Sequence, residues 1–194
     1  MKVARVRQRR RGLKGVRAAV AARTAALQPS NASAAWVTCA RRDFVYDDWN
    51  LIHETVATVD ANATTNVSEI EYFWGPDLSG TLQGAGGVGG LLAVSMEGCF
   101  YFPAYDNNGN IVKYVDETGT VVAAYGYDDF GATLSSTGPL ANDFRFRFST
   151  KYFDIETELC YYGYRFYCLP ISQWISRDPL EEYGGSNLYR SSSR

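Results

Sequence analysis

Three times along this chain a tyrosine precedes an aspartate that opens a turn: Tyr46-Asp47 in YDDWN, Tyr105-Asp106 in YDNNGN and Tyr127-Asp128 in YDDFG. The last two lie 22 residues apart, with Asp116-Glu117-Thr118-Gly119 between them. A short repeat that joins a tyrosine, an aspartate turn, a glycine and a β run constrains the chain to stacked hairpins. A single such hairpin cannot bury its aromatic face; it needs neighbours. Tyrosine supplies a large apolar ring with a polar tip. Aspartate caps a turn through nearby backbone amides. Gly109, Gly119 and Gly131 supply positive φ. The expectation is an all-β array of antiparallel hairpins.

The segment from Phe144 to Tyr189 is dense in aromatics. Phe144, Phe146 and Phe148 alternate with Arg145 and Arg147, the period of a half-buried strand. A turn is expected at Asp154–Glu158. Tyr161 to Tyr167 reads as one strand covered on both faces, and Pro179 ends any ladder after Trp174. Upstream, FVYDDWNLIHET predicts two strands around a turn at Asp47-Asp48-Trp49-Asn50. Val59 to Ser68 reads as loop and Ile70 to Trp74 as strand, followed by a Gly75-Pro76-Asp77 turn. Leu78 to Leu82, Leu91 to Val94 and Cys99 to Tyr105 read as further strands around the glycine-rich GAGGVGG.

The Phe144–Tyr189 segment resembles the core domain at the end of Rhs/YD-repeat proteins. That pattern runs roughly F-R-F-S-x-K-Y-x-D-x-E-T-x-L-Y-Y-Y-x-x-R-Y-Y, then x-R-W-x-S-R-D-P, then G-G-x-N-L-Y. The motif positions taken from it are Tyr152, Asp154, Tyr162, Arg165, Tyr167, Trp174, Pro179, Asn187 and Tyr189. The Tyr-Asp turns, with Tyr105, Asp106, Gly109, Tyr127, Asp128 and Gly131, resemble the family's YD repeats. Weaker resemblance reaches back to Phe44, and YFWGPDLSGTLQGAGGVGGLLAV is similar to segments just upstream of the core.

The resemblance implies part of a hollow β-shell that encloses a C-terminal toxic polypeptide. In some members the core domain cuts that cargo free. It implies YD-repeat-like hairpins over 43–134 and the RHS-associated core over 135–190, which composition sets apart from a basic Ala/Arg-rich tail over 1–42. Three positions depart from the family pattern: Glu158 and Ser172 stand where glycine is common, and Cys168 where aspartate is usual. The sequence leaves the pattern at Arg190, which reads as truncation of the core. The implied partners are the rest of the shell and its toxin cargo, and the implied location is secreted or cell-surface. A slice of such an array is expected to aggregate or fold only in part, because its end hairpins lack neighbours.

The resemblance also marks Arg177 and Asp178 as the first half of an autoproteolytic aspartate pair. In such a dyad one carboxylate stays protonated while the other activates water. The family's second aspartate and cleavage site are absent here. Asp154 or Asp143 could substitute only within hydrogen-bond reach of Asp178. The structural alternative makes Arg177 and Asp178 turn residues.

Other motifs carry less. Gly84, Gly86 and Gly89 fit G-x-G-x-x-G with Asp106 downstream, but LLAVSMEGCFYF reads as β where a dinucleotide site needs a helix. No cofactor is expected. His53 is the sole histidine and reads as a surface or turn residue. Cys39, Cys99, Cys160 and Cys168 lack metal-ligand spacing, so no metal is expected. Cys160 and Cys168 would lie roughly 26 Å apart on one extended strand, so a bridge needs a turn between them. Trp49, Trp74 and Trp174 with exposed tyrosines suggest a glycan or partner surface as an alternative to packing. Asn31, Asn62 and Asn66 begin N-x-S/T sequons.

Charge is uneven. Residues 1–42 hold 11 of the 19 Lys/Arg and no acid, leaving eight basic and 21 acidic residues in the remainder. An acidic body argues against nucleic acid as partner. The basic segment has no signal-peptide core, because Arg17 and Arg23 interrupt its apolar residues. It is expected to be disordered or to form a short helix over Ala18–Leu27. No apolar run is long enough for a membrane helix.

Overall fold

The computed structural model describes residues 5–6, 19–29, 36–59, 64–178 and 189. They fall into two units: residues 1–74 with 92–100, and residues 75–91 with 101–194. Strands dominate both. The one helical turn among the described residues is a 3-10 turn at Phe148–Thr150.

The first unit contains β1 (Arg5–Val6), β2 (Ala19–Pro29), β3 (Trp36–Asp47), β4 (Asn50–Val59), β5 (Thr65–Trp74) and most of β6 (Leu91–Met96). β1 through β5 pair antiparallel in succession. The β3–β4 hairpin closes at the expected place, with Asp47 opposite Asn50. Asp48 takes φ +52 there, a conformation aspartate tolerates better than most residues. Glu97 and Gly98 after β6 both have positive φ, as a two-residue hairpin turn of primed type requires.

The core of this unit includes Phe44, Leu51, Val56, Ile70 and Tyr72, together with a charged group. Glu54 is 0% exposed. Arg42 donates to its Oε1 and the Tyr72 hydroxyl donates to its Oε2 at 2.8 Å. A buried carboxylate persists only when paired in this way.

The second unit holds β7 (Cys99–Tyr105) from Tyr101 on, β8 (Ile111–Asp116), β9 (Val121–Tyr127) and β10 (Thr133–Thr137), which pair antiparallel in chain order. A separate four-stranded sheet follows: β11 (Tyr152–Asp154), β12 (Leu159–Tyr161), β13 (Phe166–Cys168) and β14 (Gln173–Trp174). The register places Phe153, Cys160, Tyr167 and Trp174 in one row across this sheet. That row is its core face, with Cys160, Tyr167 and Leu169 buried and Phe148 and Tyr162 packed on them.

Several local expectations change. Ala19–Pro29 is strand rather than helix, because pairing with β3 along its length outweighs the helix propensity of alanine. Thr65–Ser68 belongs to β5 rather than to a loop, and Leu78–Leu82 is turn rather than strand. Phe144–Phe148 forms no ladder strand beyond a single bridge between Phe146 and Tyr152. Tyr161–Tyr167 is two strands around a turn, with the Tyr162 amide donating to the Arg165 carbonyl at 2.9 Å and Gly163 at φ +85.

That hairpin brings Cys160 opposite Tyr167 and Leu159 opposite Cys168. The two cysteines therefore face opposite sides of the sheet, and both are free. His53 lies within β4, half-buried and 3.2 Å from the Thr55 hydroxyl, rather than in a turn. Pro179 and Asn187 lie outside the described residues.

Candidate functional site

The hairpin turns of the second unit repeat one atomic design. Asp106, Asp116 and Asp128 each accept, through Oδ1, the amides two and four residues on, at 2.8–2.9 Å. Each aspartate's own amide donates to the carbonyl four residues later, and the glycine three residues on donates back to the aspartate carbonyl. The result is a three-residue loop with glycine in the left-handed region. The sequence D-x-x-G therefore closes its own hydrogen bonds within five residues.

Asp77 builds a related turn that the tyrosine pairing did not reveal, with the amide four residues on donating to the Ser79 hydroxyl instead of the carboxylate. Its amide donates to Thr81 O at 2.7 Å, and Gly80 N donates to Asp77 O at 2.8 Å. Oδ1 accepts from the Ser79 amide and hydroxyl, while Oδ2 accepts from the amides of Ala85 and Gly87 at 2.7 and 3.0 Å. Burial pushes this carboxyl up, but the donated hydrogen bonds outweigh it and hold the group at about 2. GAGGVGG is thus a tied loop, and β6 follows it where a nucleotide-binding helix would be required.

The repeat tyrosines link one strand to another. Tyr127 donates from its hydroxyl to Ile111 O at 2.7 Å, and Tyr105 donates to Leu91 O. Ile111 and Leu91 each begin a strand, so the two tyrosines make equivalent bonds. Burial pushes both hydroxyls well above their ordinary range, which keeps them donors. Two tyrosines between the repeats extend the scheme. Tyr114 is fully buried, stacks on Phe144 at 3.7 Å and donates to Phe146 O at 2.9 Å. Tyr125 donates to Ala141 O at 2.7 Å. These hydroxyls hold the backbone of 141–146 against β8 and β9.

Arg147 joins the two sheets of this unit. It is 5% exposed, with its guanidinium 4.6 Å from the Tyr125 ring and 5.2 Å from the Phe153 ring. It donates to Phe144 O at 3.1 Å and Ala141 O at 2.7 Å. Ring faces and carbonyls together replace the lost hydration of the buried cation. The alternation of phenylalanine and arginine gave no sign that this arginine would be buried.

The next residues reach much further along the chain. Thr150 donates to Gly109 O at 2.7 Å and accepts from Gly89 N at 2.8 Å. Ser149 N donates to the Asn110 side chain at 2.8 Å. Lys151 donates to Gly86 O, and burial pulls its amine down to about 8 against the opposing pull of Asp77. Sequence reading missed Asp77, Arg147 and Thr150 as organising residues. The D-x-x-G spacing was the available signal for Asp77.

The residues marked by the core motif assemble around Arg165. Its guanidinium lies 4.1 Å from the Trp174 ring and 2.9 Å from Asp178 Oδ2. Trp174 meets Tyr162 and Tyr167 edge to face at 5.0 and 5.2 Å. Its amide donates to Tyr189 O at 3.1 Å. Arg177 is exposed. Of the carboxylates considered as partners for Asp178, Asp154 is engaged by Glu156 N and Thr157 Oγ1 in its own turn, and Asp143 is exposed. The geometry therefore gives Asp178 a stacked guanidinium as its salt-bridge partner.

A family model described as Teneurin YD-shell matches residues 86–191. Similar curated proteins include a tRNA3(Ser)-specific nuclease WapA of Bacillus spizizenii, 31% identical over 104 residues, which is 53% of this chain and 4% of the relative. Salivary gland surface protein 1 of Aedes aegypti is 33% identical over 106 residues, 54% of this chain and 3% of that protein. Toxin subunit YenC1 of Yersinia entomophaga is 34% identical over 91 residues, 45% and 9% of the respective lengths. The chain thus spans a small part of each relative. Among solved structures, the crystal structure of TcdB2-TccC3 without its hypervariable C-terminal region superposes with a TM-score of 0.65 at 21% identity, over 94% of this chain and 9% of that one. The Photorhabdus luminescens Tc holotoxin pore gives 0.64 at 20% identity, over 98% and 9%. At that identity the likeness is one of fold.

Proposed function

The chain belongs to the Teneurin YD-shell family, and on that premise we propose that it is a wall segment of an Rhs/YD-type shell that encloses and presents a C-terminal effector. The observation that carries this reading is the repeated tie from Tyr105 and Tyr127 to the first residues of other strands. A tie of that kind stabilises an array and has little use in an isolated hairpin. The relatives named as nuclease and toxin subunit support an effector as cargo and a secreted or cell-surface parent. The segment's role is structural.

Protease protection of the parent polypeptide tests the reading. The C-terminal effector should resist digestion while the shell is intact and become sensitive when Gly131→Ala weakens it. Digestion at one rate with and without the shell would refute enclosure.

Asp178 acts here as an anchor for the chain after β14, through Arg165 stacked on Trp174. Intact mass after incubation should be unchanged for the native chain and for Asp178→Asn. Loss of full-length mass in the native chain alone would establish self-cleavage instead. Glycan binding is a weaker reading, because two of the three tryptophans are committed to packing. Trp74 donates to Leu51 O at 2.7 Å and Trp174 sits among tyrosines.

A further inference from the structure

Asn108-Gly109, at the tip of the Asp106 turn, is the one Asn-Gly pair in the chain. Asparagine before glycine is the pair most open to loss of the side-chain amide, because no β-carbon shields the glycine nitrogen. The turn holds its residues unequally. Asn108 is exposed, and its carboxamide makes no hydrogen bond among the described residues. Asn110 is buried, with its amide group donating to Asp106 Oδ2 at 2.7 Å and its oxygen accepting from Ser149 N at 2.8 Å. Gly109 is buried too, and its amide donates to Asp106 O at 3.1 Å. Val88 and Leu78 crowd it so closely that a β-carbon there would lie 2.5 Å from Val88 Cγ1 and 3.0 Å from Leu78 Cδ1. A free carboxamide thus stands beside a clamped backbone nitrogen.

The clamp is closed from outside the turn by Thr150, which donates to Gly109 O at 2.7 Å and accepts from Gly89 N at 2.8 Å. Ser149 and Thr150 hold φ +51 and +50 to do so, a conformation that favours release once those bonds are lost. From this arrangement we propose that Asn108 is a self-modification site whose rate Thr150 sets. When the tie opens, Gly109 N attacks Asn108 Cγ and a five-membered imide closes. The carboxamide C–N bond breaks, and ammonia departs carrying the proton that Gly109 N gives up. Water then opens the ring at either carbonyl, leaving aspartate or isoaspartate. Isoaspartate lengthens the backbone between Asp106 and Gly109 by a methylene. The amides of Gly109 and Asn110 then no longer reach Asp106, and Asn110 loses its hold on Ser149. The product frees the hairpin tip from residues 149–150 irreversibly, and water is the only co-reactant. The inference does not rest on the enclosure reading.

Peptide mass mapping of the full chain during incubation at neutral pH tests this, with isoaspartate methyltransferase labelling to identify the product. Modification should gather at Asn108, at a lower rate than in a synthetic peptide of residues 104–113. Thr150→Val leaves Gly109 O and Gly89 N without their partner, so opening and modification should both rise about tenfold. Thr150→Ser keeps the hydroxyl and should stay near the native rate. Equal rates for the valine and serine variants overturn the proposal, as does a native chain that reacts as fast as the peptide or not at all. One comparison needs no variant. The slowing in the native chain relative to the peptide should match, within a few-fold, the protection of the Gly109 amide against hydrogen exchange, since both require the same opening. Slowing without that protection, or protection without slowing, refutes the gate even where Thr150→Val fails to fold.

Discussion

Gly119→Ala and Gly131→Ala make the same chemical change in the same kind of turn, and the structure predicts different outcomes. Both glycines sit in the left-handed region, at φ +85 and +91. Alanine there costs about 1–2 kcal/mol, partly offset by the entropy it removes from the unfolded chain, so a net loss of about 1 kcal/mol is expected at Gly119. A β-carbon at Gly119 meets nothing within 4 Å. At Gly131 it would lie 2.5, 2.6 and 2.7 Å from three atoms of the Phe148 ring. That ring is held by Tyr127 at 5.7 Å and by the core of the second sheet, so it cannot swing aside freely. Overpacking adds about 1–3 kcal/mol, for a total near 3.

Urea unfolding followed by tryptophan fluorescence reads the difference. With a slope of ~2 kcal/mol/M, Gly131→Ala should lower the midpoint by about 1.5 M and Gly119→Ala by about 0.5 M. Adding Phe148→Leu should recover part of the loss in Gly131→Ala and none in Gly119→Ala. Equal midpoints for the two single variants would refute the contact and leave backbone conformation as the whole effect.

Glu158 and Ser172 hold φ +57 and +52 without being glycine. Glu158→Gly and Ser172→Gly should each stabilise the chain by about 0.5–1 kcal/mol in the same assay, since relief of the backbone exceeds the added unfolded entropy. The Asp77 carboxyl lies below its unfolded value of 3.8, so its contribution is complete above pH 4 and is lost as the pH falls towards about 2. After discounting for solvent screening this amounts to about 1 kcal/mol, and Asp77→Asn should flatten the acid limb of a stability–pH curve by that amount. Arg147→Lys should cost about 2 kcal/mol by thermal melting, because an ammonium cannot reach both carbonyls while lying flat between the Tyr125 and Phe153 rings.

The parts legible in the sequence are those whose bonds close locally. Asp106, Asp116 and Asp128 satisfy their turns within five residues, so D-x-x-G by itself determines a loop and the β runs on either side of it. The all-β class and the shell family follow from repeating that unit beside an aromatic segment. Three-dimensional packing decided the rest. Thr150 bonds to residues 41 and 61 positions away, and no local pattern encodes that reach. Arg147 is buried because tyrosines on β8 and β9 draw its backbone inward by their hydroxyls, where alternation alone describes a strand. Ala19–Pro29 is strand only because β3 lies beside it. Asp178 meets a guanidinium because the turn at Tyr162–Arg165 folds one aromatic run into two strands and carries Arg165 to Trp174. Turn chemistry acts over a few residues, whereas burial and pairing depend on whichever distant surface arrives, and only the folded chain determines that.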